Sequence, residues 1–130
     1  MSNLSFLQSI DVEDTVSEAL SSYFTIYCRP LPKNFSVPSL LVTSVGGDVE
    51  DKVDTFDITL DARAKTDAEA NELLRQAVGV LVEIGKTHTT PIRNVQLNTL
   101  GSWGNDPVRP DLSMYSARLR ITAHQEIKTL

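Results

Sequence analysis

Residues 55–84 read TFDITLDARAKTDAEANELLRQAVGVLVEI, and their pattern decides the fold. Phe56, Ile58, Leu60 and Ala62 alternate with Thr55, Asp57, Thr59, Asp61 and Arg63. That period belongs to a strand with one dry face and one wet face. From Thr66 onward the period changes, and Ala70, Leu73, Leu74, Ala77, Val78 and Leu81 recur at helical spacing. Thr66 is placed to cap this helix, and Glu69, three residues on, completes a capping box. A strand of about ten residues spans ~33 Å and a helix of about eighteen spans ~27 Å, so the helix lies back along the sheet and covers its dry face. Gly79 in mid-helix reads as a point of close helix–sheet packing. Gly85 reads as the C-cap, with Lys86 and His88 favoured at the negative end of the helix dipole.

The elements on either side follow. Val12, Val16, Ala19, Leu20 and Tyr23 share one face of a helix expected over residues 7–22, with Asp11, Glu13 and Asp14 near its start. A strand is expected over 24–29. Pro30, Pro32 and Pro38 break the segment after it, which predicts a loop or edge crossing. Residues 40–45 form a short strand that ends at Gly46-Gly47-Asp48, a turn signal. It pairs antiparallel with residues 54–63, and Glu50, Asp51 and Asp54 lie in an acidic connection. After Pro91 come a strand over 92–100, a Gly/Pro-rich loop over 101–112 and an alternating strand over 113–124. The order is α-β-β-β-α-β-β. It predicts an α+β fold: a mostly antiparallel sheet of about five strands, with two helices packed on one face. Residues 1–130 form one domain, with 1–6 and 125–130 read as loose ends.

At 130 residues, one core suffices without staples. The net charge of −5 argues against broad binding to a phosphate backbone, which needs clustered Lys and Arg. Cys28 is the single cysteine, so no internal disulfide forms, which fits a reducing compartment. The first ten residues lack a basic start and a long apolar core, and no apolar run approaches the ~20 residues of a membrane span. The expectation is a product assembled in the cytosol, with no membrane partner.

No catalytic, cofactor-binding or metal-binding set is expected. Gly85-Lys86-Thr87 has the wrong spacing from Gly79 for a phosphate loop and closes a helix instead of opening one. Asp48, Glu50, Asp51, Asp54 and Asp57 lack the pattern of a calcium loop and read as solvated turn charges. His88 and His124 have no Cys, His or Asp partner at ligand spacing. Gly101-Ser102-Trp103-Gly104 is one residue short of a nucleophile elbow. Cys28 shares a strand face with Phe24 and Ile26 and reads as a buried, inert thiol. Trp103 either folds back to anchor its loop or is exposed to a partner. The wet sheet face is the best lead: Asp57, Asp61 and Arg63 on one strand, Arg118 and Arg120 on another. Adjacent strands would set these acids against these arginines.

In this order of elements the chain resembles the tail-terminator and tail-completion (head–tail joining) proteins of long-tailed bacteriophages. The stretches that carry the likeness are LLVTSV after Pro38, the Gly-Gly-Asp turn, DTFDITLDARA leading to TDAEANELLRQAV, WGNDPVRPDL and MYSARLRIT. The resemblance spans residues 11–123 and lies in pattern and order, without a diagnostic motif. It is weakest in the N-terminal segment containing RPLPKN. It implies a structural, non-enzymatic virion protein of the tail or neck, assembled in the host cytoplasm. Such proteins form a ring, typically a hexamer, that caps the tail tube, ends its polymerisation and meets the head connector, while DNA passes through the lumen without sequence-specific binding. The partners implied are further copies of the chain, a tail-tube protein and a head-connector protein. A ring contact is heterologous, so its two patches come from different parts of the chain. The expected contact loops are residues 29–38, with Lys33 and Phe35, and residues 101–112, with Trp103 and Arg109. Asp57, Asp61, Arg63, Arg118 and Arg120 are expected to face the pore or a neighbouring subunit. Two other readings remain open on the residues alone: a monomeric adaptor or ligand-binding module, and a small hydrolase built on scattered His, Asp and Ser.

Overall fold

The computed structural model describes residues 3–50, 53–107 and 109–130. The fold is α+β, as the alternation and its switch of period predict. In chain order the elements are β1 (Ser5–Gln8), α1 (Val12–Leu20), β2 (Ile26–Cys28), β3 (Ser39–Glu50), β4 (Val53–Ala64), α2 (Asp67–Thr87), β5 (Ile92–Asn105), β6 (Ser113–His124) and β7 (Glu126–Thr129). A five-stranded sheet runs β2-β3-β4-β6-β5, and β1 pairs with β7 in a separate two-stranded ribbon. Within the large sheet only β2 and β3 are parallel.

β4 lies at the centre, antiparallel to β3 on one side and β6 on the other. Its Ile58, Leu60 and Ala62 are fully buried. They join Leu40 and Val42 of β3, Leu119 and Ile121 of β6, and Ile92 of β5 in one core. Val12, Val16 and Leu20 of α1 and Leu73, Leu74, Ala77 and Leu81 of α2 close that core. Both helices therefore cover the same face of the sheet. Burying each large aliphatic side chain is worth roughly 1.5–3 kcal/mol, so this shared layer is what makes the chain one unit.

α2 begins as its sequence indicates. The Thr66 hydroxyl accepts from the Glu69 N–H at 3.2 Å and donates to the Glu69 carboxylate at 3.1 Å. Its end differs from expectation. Gly85 is inside the helix and buried, where a Cβ would meet Val95 Cγ2 at 3.4 Å. His88 is the C-cap, in the left-handed region at φ 59°. The close-packing glycine is thus Gly85, whereas Gly79 faces open space.

α1 is shorter than the expected 7–22. Asp11 caps it, accepting from the Asp14 N–H at 3.2 Å, and its dry stripe is Val12, Val16 and Leu20. Tyr23 falls beyond the helix and is exposed. Residues 5–8 are a strand, and Ser5 and Phe6 pair with Thr129 and Lys128. The ends read as loose are therefore, from residue 5 and up to residue 129, joined to each other. The strand expected over 24–29 is limited to Ile26–Cys28.

Gly46-Gly47-Asp48 is not a turn. β3 runs through it to Glu50, with its register shifting between Ser44 and Gly46. Gly47 lies so close to β4 that a Cβ there would sit 2.1 Å from the Thr55 carbonyl oxygen. The glycines serve a bulge and a close strand approach, two needs that share the composition of a turn. Asp51, placed in the acidic connection, lies outside the described residues. β5 likewise extends past residue 100 to Asn105, with Gly101 in a shift of register and Gly104 paired with Met114, so the expected loop is shorter.

Candidate functional site

The sheet face turned away from both helices is the candidate site. β4 presents Asp57, Thr59 and Asp61, β6 presents Ser116, Arg118 and Arg120, and β5 presents Gln96 and Thr99, in register across three strands. Asp57 is directly opposite Arg120. The guanidinium meets both carboxylate oxygens, Nε to Oδ1 at 3.0 Å and Nη2 to Oδ2 at 3.4 Å. This hydrogen bonding, followed by the charge of Asp57, holds the Arg120 pKa above its ordinary value.

Asp61 and Arg118 do not pair. Register places Ser116 opposite Asp61, and the Ser116 hydroxyl donates to Asp61 Oδ1 at 2.6 Å. Arg118 is opposite Thr59 on β4 and Thr99 on β5. It is exposed, and no described carboxylate pairs with it. Around it lies a hollow of about 260 Å³ lined by Thr59, Thr99, Ser116 and Ala117. The face thus carries one ion pair, one carboxylate hydrogen-bonded by a hydroxyl, and Arg118 without a carboxylate among the described residues.

Arg63 does not belong to this exposed set. It lies at the end of β4 opposite Ser39 and Met114, where two loops fold over it. Its Nε donates to Asp106 Oδ2 at 2.8 Å, and the two side chains are 8% and 1% exposed. Phe35 sits beneath both Arg63 and Arg109, their guanidinium carbons 5.8 and 5.5 Å from its ring centre. Phe35 is buried, and Arg109 also approaches Asp111 at 3.6 Å. Segments 29–38 and 106–112 are therefore clasped to each other. Phe35 and Arg63 hold that clasp and are not available as surface contacts. Lys33 is exposed on the first segment.

Trp103 is 54% exposed and stands on β5, not in a loop. Its Nε1 donates to Asp67 Oδ1 at 2.9 Å, and the Ser113 hydroxyl donates to the same oxygen. The Ser113 bond, and then that of Trp103, holds the Asp67 carboxyl below its ordinary range. Both alternatives for this residue are thus partly realised, since the indole is anchored yet shows a large surface. Cys28 is half-buried, its thiol donating to the Glu13 carbonyl at 3.5 Å. His124 is exposed at the end of β6. Among the described residues, no three His, Cys, Asp or Glu side chains are grouped so as to hold a metal ion.

Two carboxylates escaped the sequence reading. Glu13 on α1 accepts from the Ser44 N–H at 3.0 Å and from the Arg29 guanidinium, tying the helix to β3 and to the end of β2. Asp54 was placed among solvated acids, yet it is 1% exposed. Its Oδ1 accepts from Gln125 Nε2 at 2.9 Å, and its Oδ2 has no partner among the described residues. Position 54 has the same parity as Phe56 and Ile58, so strict alternation already placed it on the dry side.

No family model and no curated protein matches this chain.

Proposed function

We propose that this chain is a structural virion protein that forms a ring, hexameric as its resemblance implies, on the end of a phage tail tube. The ring ends polymerisation of the tube and joins it to the head connector. The observation that carries the reading is the open sheet face. It extends across β4, β6 and β5 without a helix over it; Asp57 and Arg120 neutralise each other there, and Asp61 is hydrogen-bonded by Ser116. A surface of that kind suits a lumen through which DNA passes without being held, because it offers no cluster of unpaired cations to the phosphates. Phe35, Asp106 and Arg109, held together around Arg63, fix segments 29–38 and 106–112 where they meet, so those residues lose little entropy on contact with a partner.

The test is to polymerise tail-tube protein with and without this chain. The expected result is tubes of limited length with extra density at one end, and a ring mass by native mass spectrometry of the complex. Arg118→Glu, which breaks no ion pair among the described residues, is expected to leave ring formation and thermal stability near wild type, whereas Arg120→Glu sets a second carboxylate opposite Asp57 and is expected to lower thermal stability. Tubes that grow to the same length, with no copy bound at their ends, would refute the reading.

The hollow at Arg118 favours a second reading, a non-catalytic ligand-binding module. An unpaired guanidinium beside two threonine hydroxyls fits a small oxyanion. Titration with inorganic phosphate, compared with the Arg118→Gln variant, distinguishes the two. Binding by a monomer that ignores tube ends would favour this second role.

A further inference from the structure

The ribbon formed by β1 and β7 stands apart from the five-stranded sheet, and its side chains remain largely in water. Exposure runs from 45% at Leu7 and 61% at Leu4 to 75% at Ile127 and 79% at Leu130. No ribbon residue joins the hydrophobic core. An isolated two-stranded unit is marginal in water, and Leu4, Leu7, Ile127 and Leu130 leave much apolar surface unburied.

The helical layer of the same chain carries an apolar groove. Tyr23 and Phe24, after α1, and Gly79, Val80 and Ile84 of α2 line a trough of about 640 Å³. Gly79 leaves its middle open, with no atom within 4 Å of where a Cβ would stand.

We infer that the β1–β7 ribbon is an arm that seats in the Tyr23–Ile84 groove of a second copy of this chain. This rests on the reading that the protein acts as an assembly of copies. The dimensions agree: four paired residues extend ~13 Å, and the stretch of α2 from Gln76 to Thr87 extends ~17 Å. Charge agrees as well. Lys128 and Glu126 of the arm pair at 3.1 Å, and Glu83 and Lys86 at the groove's rim pair at 3.1 Å, so neutral surfaces meet and Lys128 can turn to Glu83. At the arm's base, Glu126 borders the hollow that Tyr23 and Ile84 also line, which makes arm and groove parts of one surface. Giving an arm to one neighbour while receiving an arm from another is a heterologous contact, the kind that closes rings, whereas two copies that exchange arms close as a dimer. An eight-residue ribbon covers less than the roughly 800 Å² per partner of a standard interface, so each contact is weak until closure adds its effective concentration.

The test uses a Cys28→Ser background. Chains with Ile127→Cys are mixed with chains carrying Gly79→Cys and oxidised with copper phenanthroline. The expected result is a disulfide-linked heterodimer at least about tenfold above the homodimers of either variant alone. Adding Val80→Asp to the Gly79→Cys chain is expected to remove the product, with the circular-dichroism spectrum and melting profile retained as proof of folding. Absence of the heterodimer in the folded, unmodified pair overturns the arm, even if the wild-type chain is found capping tubes. A chain carrying both cysteines is expected to give a ladder of linked multimers. Closed dimers alone would keep the arm-and-groove contact and remove the ring.

Discussion

Arg63 and Asp106 show what one buried pair does here. Each is almost wholly removed from water, so neither charge is tolerated without the other. Asp106→Ala is expected to destabilise the fold by about 3–5 kcal/mol, read as a lowered urea midpoint. Part of that loss should come from release of Phe35, over whose ring both Arg63 and Arg109 lie. Glu13 gives the pH dependence at this scale. The Arg29 hydrogen bond, opposed by burial and aided by the Ser44 N–H, holds its pKa below the ordinary 4.5. A carboxylate lowered on folding adds stability that is complete above the unfolded value and disappears as pH falls through the folded one. Wild type is therefore expected to exceed Glu13→Gln in urea midpoint above pH 4.5, with the difference shrinking as pH drops below it. Neither carboxylate's role was legible in the sequence, since pattern places a residue on a face without saying which loop will cover it. Arg63 continues the wet-face alternation faultlessly and is buried all the same, because segments carrying Phe35 and Asp106 fold over the end of its strand.

At the scale of elements, β4 and α2 were readable because local and global preferences agree in them. Alternation, capping box and apolar stripe all name one arrangement. Reading failed where glycine had two meanings. Gly46 and Gly47 signal a turn by composition, but here they permit a bulge and a close approach within one long strand. Gly79 and Gly85 exchanged roles, since spacing along a helix cannot tell which glycine faces a strand. The difference is measurable. Gly79→Ala is expected to stabilise the protein by up to about 1 kcal/mol, because it removes backbone freedom at an exposed helical position with room for a methyl group. An unchanged or lowered urea midpoint would show that α2 needs the glycine for something other than space. β5 carries a second element-level device. As an edge strand with exposed Leu97, Leu100 and Trp103, it invites uncontrolled pairing. Three shifts of register bend it away from the straight geometry that such pairing requires.

The whole molecule consists of one cohesive layered body and one ribbon, and their boundary can be located to a residue. Among the described residues, the body's core includes none before Val12 or after Ile121, although Ile10 and Ala123 are also buried. Just past this lies Gln125, whose amide is the one partner of the buried Asp54 carboxylate among the described residues. A chain trimmed to residues 10–125 keeps all of these and loses only the ribbon. Its urea midpoint should fall by no more than the equivalent of about 1 kcal/mol, with little change in the slope of unfolding, because little apolar surface is exposed. Trimming one residue further removes Gln125 and leaves both oxygens of Asp54 without a partner in a site that water does not reach. That single residue is expected to cost a further 1–3 kcal/mol or so, well beyond what its own surface burial would explain. Gln125→Ala in the full chain should reproduce the loss with the ribbon intact. If instead the 10–125 chain unfolds, the ribbon belongs to the body's stability, and its exposed leucines and isoleucine are no longer free to serve as an arm.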